Sequence, residues 1–107
     1  MTAWSALLLA GLLEIMWAFG LKYSDGFTRL WPSIGTIVAI GLSFALLAMS
    51  LKAVPFGTAY AVWTGIGAAG TAFVGMLAFG ESTELSRLIC LTFIVAGTIG
   101  LKLAEPG

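Results

Sequence analysis

Four apolar stretches, at residues 4–21, 31–51, 57–80 and 88–101, take up most of this chain, and their lengths decide what it can fold into. A bilayer core about 30 Å thick is crossed by roughly 20 helical residues. The first three stretches approach or exceed that length. The fourth reaches it if Ser86, Arg87 and Lys102 rest at the interface with their polar heads in water. Backbone groups in hydrocarbon need internal partners, so helices are expected rather than open strands. The reading is an all-α integral membrane chain of four transmembrane helices, at about 4–21, 31–51, 57–80 and 86–103, forming one domain over residues 1–107.

The breaks between the stretches agree with this. Residues 22–29 carry Lys22, Asp25, Arg29 and an Asp-Gly turn, and Pro55 disfavours helical geometry at Val54. Residues 81–84 offer Ser82 or Thr83 as a cap for the last helix. The first stretch lacks the basic start of a signal peptide and is interrupted by Glu14, so it is read as a true span. Charged residues make up 9% of the chain, against about a quarter in soluble domains, so most of the surface must face lipid.

Several kinds of chemistry are set aside by composition. With no histidine and one cysteine, Cys90, neither a metal site nor an intrachain disulfide is expected. Proton traffic would have to use a carboxylate or water. Net charge is zero and no basic run occurs, which argues against nucleic acid as a partner. No cofactor and no enzymatic activity are expected.

Four spans place both termini on one side with Lys52 and Lys102, and leave Lys22, Arg29 and Arg87 on the other. Two against three is too small a difference for the positive-inside rule to fix an orientation. Dual topology is therefore expected, with two copies pairing antiparallel. Four short helices enclose little volume, and a polar pathway through one copy would face lipid, so a homodimer is the smallest unit expected. Cys90, Gly97 and Gly100 on the fourth helix make a small-residue stripe suited to its seam.

Glu14 carries the chemistry. It sits roughly 15 Å into the first span, near the bilayer midplane. An acid there costs about 2.5–3.5 kcal/mol on the lenient insertion scale, and no span supplies a basic partner. Hydrocarbon disfavours the charged form until something positive compensates it. Proton and cation would thus compete for one group, which is the physical basis of exchange. Gly11, Glu14, Trp17 and Ala18 share one helical face, and Tyr60, Trp63, Thr64 and Gly67 share another. The aromatics sit at mid-depth rather than in interfacial belts, and a carboxylate flanked by indole and phenol describes a cation site. Ser43 gives the second helix a mid-span hydroxyl; it and Tyr60 are placed to hydrogen-bond the glutamate. Residues 64–70 hold three glycines, which permit bending or close packing.

With these residues in view, the chain resembles the small multidrug resistance family, and within it the guanidinium exporter subtype. The likeness is carried by Glu14-Ile-Met-Trp-Ala18, by Leu21-Lys-Tyr-Ser-Asp-Gly-Phe-Thr-Arg29, by Pro55-Phe-Gly-Thr-Ala-Tyr-Ala-Val-Trp-Thr-Gly-Ile-Gly67, by Gly80-Glu81-Ser82 and by Gly100-Leu-Lys102. The resemblance implies an antiparallel homodimer in the bacterial inner membrane that exports guanidinium in exchange for protons, two per cation. It implies that Glu14 binds both substrate and proton, and that Trp17, Ser43, Tyr60 and Trp63 line the pocket or orient the glutamate. It also implies a hinge at Gly65 and Gly67 in helix three. Trp17, Thr64 and Lys102 look like the guanidinium exporters, whereas exporters of polyaromatic cations usually have a small residue in place of Trp17. Ile40 stands where drug exporters commonly have tyrosine. The alternatives are a broader exporter of quaternary ammonium and other lipophilic cations, a passive small-ion channel, and an accessory subunit.

Overall fold

The computed structural model describes residues 2–104. Four helices follow one another: α1 Ala3–Tyr23, α2 Leu30–Ser50, α3 Phe56–Ala78 and α4 Leu85–Ala104. Each is long and apolar enough to cross a membrane, and the chain is a multi-pass membrane protein. Every end lies within two residues of the sequence reading, and two of them shift by two residues for local reasons. Helix α1 continues to Tyr23, placing Lys22 in its last turn, where a cation complements the helix dipole. Helix α3 stops at Ala78 rather than Gly80, because Gly80 adopts the left-handed conformation (φ +64°) and turns the chain away.

The starts follow from capping and proline. Thr2 caps α1, its hydroxyl accepting the Ser5 amide at 3.0 Å. Pro32 falls in the first turn of α2, where its missing N–H is harmless, and Pro55 stands just before α3. The α1–α2 connection is built on buried Ser24. Its hydroxyl donates to the Leu21 carbonyl at 2.8 Å and accepts the Phe27 amide at 3.2 Å. Asp25, Gly26 and Phe27 all take positive φ there, making a tight reversal.

Helix α1 packs against both α2 and α3, and α4 lies against α3. The buried apolar core is small: Leu7, Ala10, Val54, Ala59, Val62 and Trp63. Close backbone approach makes up for its size, as expected when lipid removes the usual drive to bury apolar surface. A Cβ at Gly11 would sit 2.8 Å from Ile66, and one at Gly20 would overlap the Thr36 hydroxyl. Helix α2 turns Ser33, Thr36, Ala39, Ser43 and Ser50 inward. Ser33, Thr36 and Ser50 return their hydroxyls to carbonyls of their own helix or its cap, those of Arg29, Pro32 and Leu47. That satisfies them in a place without water. No residue of α4 is buried, and large apolar side chains such as Met16, Trp31, Phe73, Leu77 and Phe93 cover the outside of the bundle.

Candidate cation site

Glu14 lies about 16 Å along α1 from Ala3, at mid-span. Its carboxyl rests on the bare backbone of Gly67 on α3. A Cβ at Gly67 would stand 2.7 Å from Glu14 Cγ and overlap the carboxyl carbon and Oε2 outright. Gly67 is thus the seat that lets an acid fit between two tightly packed helices, in a stretch where the sequence suggested bending. Helix α3 itself runs unbroken through Gly65 and Gly67. Gly65 faces α4, where a Cβ would overlap the Thr98 hydroxyl.

Oε2 of Glu14 is buried without a hydrogen-bond partner among the described residues, and so is Nε1 of Trp17 one turn further on. Leaving a buried polar atom unpaired costs about 1–3 kcal/mol. An acceptor and a donor from successive turns of α1 are therefore both held unsatisfied. Both residues line a cavity of about 410 Å³ between α1 and α3, which also reaches Thr71, Gly75, Glu81, Lys22 and Arg87. At its outer end Lys22 Nζ stands 4.0 Å over the Phe79 ring, and Arg87 Nη2 donates to Glu81 Oε1 at 2.7 Å.

The other expected pocket residues form a separate arrangement. Ser43 donates its hydroxyl to the Ala10 carbonyl at 2.7 Å and accepts the Trp63 Nε1–H at 3.0 Å. It therefore makes no bond to Glu14 within the chain, contrary to the sequence expectation. Its only proton is already given to α1, one turn before the glutamate. Tyr60 likewise makes no hydrogen bond to Glu14; it is exposed, stacked on Phe56 and tilted against Trp63. Trp63 is the buried centre of this group, with the Phe44 ring 5.4 Å away and the Tyr60 ring 5.7 Å away. The structure thus joins Glu14 with Trp17 and Gly67, and joins Ser43 with Tyr60's neighbour Trp63 and with the α1 backbone. The hydroxyl–indole pair braces α1 against α2 and α3 beside the glutamate.

Sequence reasoning passed over Thr71 and Gly75, and read Glu81 and Arg87 as interfacial residues without a place in the site. For Thr71 and Gly75 the signal was present: Gly67, Thr71 and Gly75 recur every fourth residue and so share one face of α3.

Four spans, with a carboxyl seated at mid-span beside a cavity between two of them, are the build of a small polytopic membrane protein. The family described as Small Multidrug Resistance protein matches residues 2–94, and the chain belongs to that family. It is 61% identical over 103 residues to a guanidinium exporter of Yersinia pseudotuberculosis, covering 96% of this chain and 99% of that protein. Guanidinium exporters of Proteus vulgaris and Salmonella typhimurium are each 59% identical, over 103 and 102 residues. Those alignments cover 96% and 95% of this chain and 99% and 97% of the relatives.

Proposed function

We propose that the protein exports guanidinium across the bacterial inner membrane in exchange for protons, as a single four-helix transmembrane domain working in an antiparallel, dual-topology homodimer. The observation that carries this reading is the buried, unpaired Oε2 of Glu14, at mid-span beside a cavity. A carboxyl so placed is well satisfied by a proton or by a cation with hydrogen to give. Guanidinium is planar, weakly hydrated and able to donate two parallel hydrogen bonds to one carboxylate. Near-full-length identity of about 60% to named guanidinium exporters supports the same substrate.

In the proposed cycle each Glu14 binds protons or substrate, never both, and that mutual exclusion couples the two flows. Trp17 lines the cavity next to the glutamate and narrows it against bulky cations. Ser43 and Trp63 hold the α1 backbone in place just before Glu14, so they position it indirectly. Tyr60, exposed in the single chain, is available to a pocket shared with the second copy. Gly65 and Gly67 supply the flexibility for access to alternate between the two sides. The uncovered α4, with open space beside Gly97 and Gly100, supports its use as the dimer seam.

The test is proton-driven guanidinium uptake into vesicles holding only this protein. The wild type is expected to accumulate guanidinium when the lumen is acidic, and Glu14→Gln is expected to lose coupled uptake entirely. Retained coupling in that variant would remove Glu14 from the mechanism. Downhill flux indifferent to the proton gradient would make the protein a channel.

A further inference from the structure

The cavity that begins at Glu14 has a second carboxylate at its other end. Gly80, in its left-handed turn, folds the chain back so that the Glu81 amide donates to the Gly75 carbonyl at 3.3 Å. This lays the Glu81 carboxyl against buried Gly75, where a Cβ would meet it at 2.8–2.9 Å. Glu14 on Gly67 is the same device repeated: an acid seated on bare helix backbone. Gly67, Thr71 and Gly75 share one face of α3, with the two seats about 12 Å apart and the Thr71 hydroxyl position between them. Glu14 and Glu81 are the two carboxylates lining this cavity.

Glu81 is occupied in a telling way. Its partner is Arg87, at 2.7 Å, and the head of an arginine side chain is itself a substituted guanidinium. Both side chains are partly open to solvent, at 32% for Arg87 and 42% for Glu81, so the pair can open without stranding a buried charge. An exposed ion pair of this kind shifts an equilibrium by no more than about five-fold. Lys22 stands at the same mouth, over Phe79, and adds a second positive charge there.

We propose that Glu81 is an outer binding site for the transported cation, and that the Arg87 guanidinium is its tethered occupant, displaced by substrate in passing. This rests on the guanidinium transport proposed above and adds a second station to it. A cation leaving Glu14 meets a mouth carrying Lys22 and Arg87, where Glu81 is the compensating anion along the wall. When the cation takes Glu81, Arg87 swings into water; when the cation leaves, Arg87 returns and neutralises the carboxylate behind it.

The experiment measures half-saturation for guanidinium, together with the maximal rate, in vesicles containing the full-length wild type, Arg87→Ala, Arg87→Gln, Glu81→Gln and the double variant Arg87→Ala/Glu81→Gln. Removing the tethered competitor is expected to lower the half-saturation concentration about three- to five-fold. Removing the outer carboxylate is expected to raise it by a similar factor. In the double variant the benefit of Arg87→Ala should vanish. Elution profiles in detergent should stay near those of the wild type, and Arg87→Gln decides the matter if Arg87→Ala elutes abnormally. A pair that merely braces the α3–α4 turn gives shifts of the same sign in both single variants. That result, absence of shifts, or an Arg87→Ala gain that persists without Glu81 would overturn the proposal. A wild type that moves no guanidinium would instead overturn the transport function itself.

Discussion

Gly67→Ala separates the seat of the glutamate from the stability of the helix. Alanine in place of glycine in a helix interior gains about 1 kcal/mol, while forced overlap in a packed site costs about 1–3 kcal/mol. Fold stability should therefore change by no more than about 2 kcal/mol. The function should respond far more. The new Cβ would stand 2.7 Å from Glu14 Cγ, and carbon atoms settle at about 3.5–4.0 Å, so the carboxyl must retreat by about 1 Å. Losing one charge-assisted hydrogen bond to a bound cation costs about 1.5–3 kcal/mol, which is roughly 10- to 150-fold in affinity. The assay is guanidinium uptake by reconstituted vesicles as a function of concentration, paired with the thermal midpoint in detergent. Gly57→Ala serves as the control, because a Cβ there meets nothing within 4 Å. If Gly67→Ala transports with wild-type half-saturation, the glutamate does not work from this seat.

Three further outcomes are expected, two from the geometry of the site and one from the balance of basic residues between the two sides. Ser43→Ala leaves the Trp63 indole N–H buried without its acceptor and should destabilise the fold by about 1–3 kcal/mol, read as a lowered thermal midpoint. Trp17→Gly should widen the cavity next to Glu14 and admit larger cations, and competition between guanidinium and a bulky quaternary ammonium checks this; an unchanged substrate range contradicts the narrowing role. A reporter fused to the C-terminus should be found on both faces of the membrane, and its confinement to one face would rule out dual topology.

The four spans were legible because hydropathy over about 20 residues is a coarse signal that no tertiary detail overrides. Glu14 was legible for the same reason, as a lone acid in a run that excludes charge. What its carboxyl rests on was not. The fit of Glu14 onto Gly67 depends on how α1 crosses α3, and a glycine in a helix reads equally as a bend or as a seat. Ser43 was found as a mid-span hydroxyl, yet its acceptor is a backbone carbonyl at Ala10, which no side-chain pattern reveals. Three further inward hydroxyls of α2, Ser33, Thr36 and Ser50, were passed over because each is satisfied within its own helix and carries no spacing signature. The Glu81–Arg87 pair spans a turn set by the positive φ of Gly80, so sequence showed two opposite charges near an interface but not that they close a cavity.

The competition of proton and cation for one carboxyl is tested most directly by proton release. Purified protein in weak buffer is titrated with guanidinium while a pH indicator follows the solution. Glu14 is expected to surrender its hydrogen as the cation binds, acidifying the solution in proportion to occupancy, with no release from Glu14→Gln. Saturable binding that leaves the pH unmoved, or equal release from the glutamine variant, would contradict it.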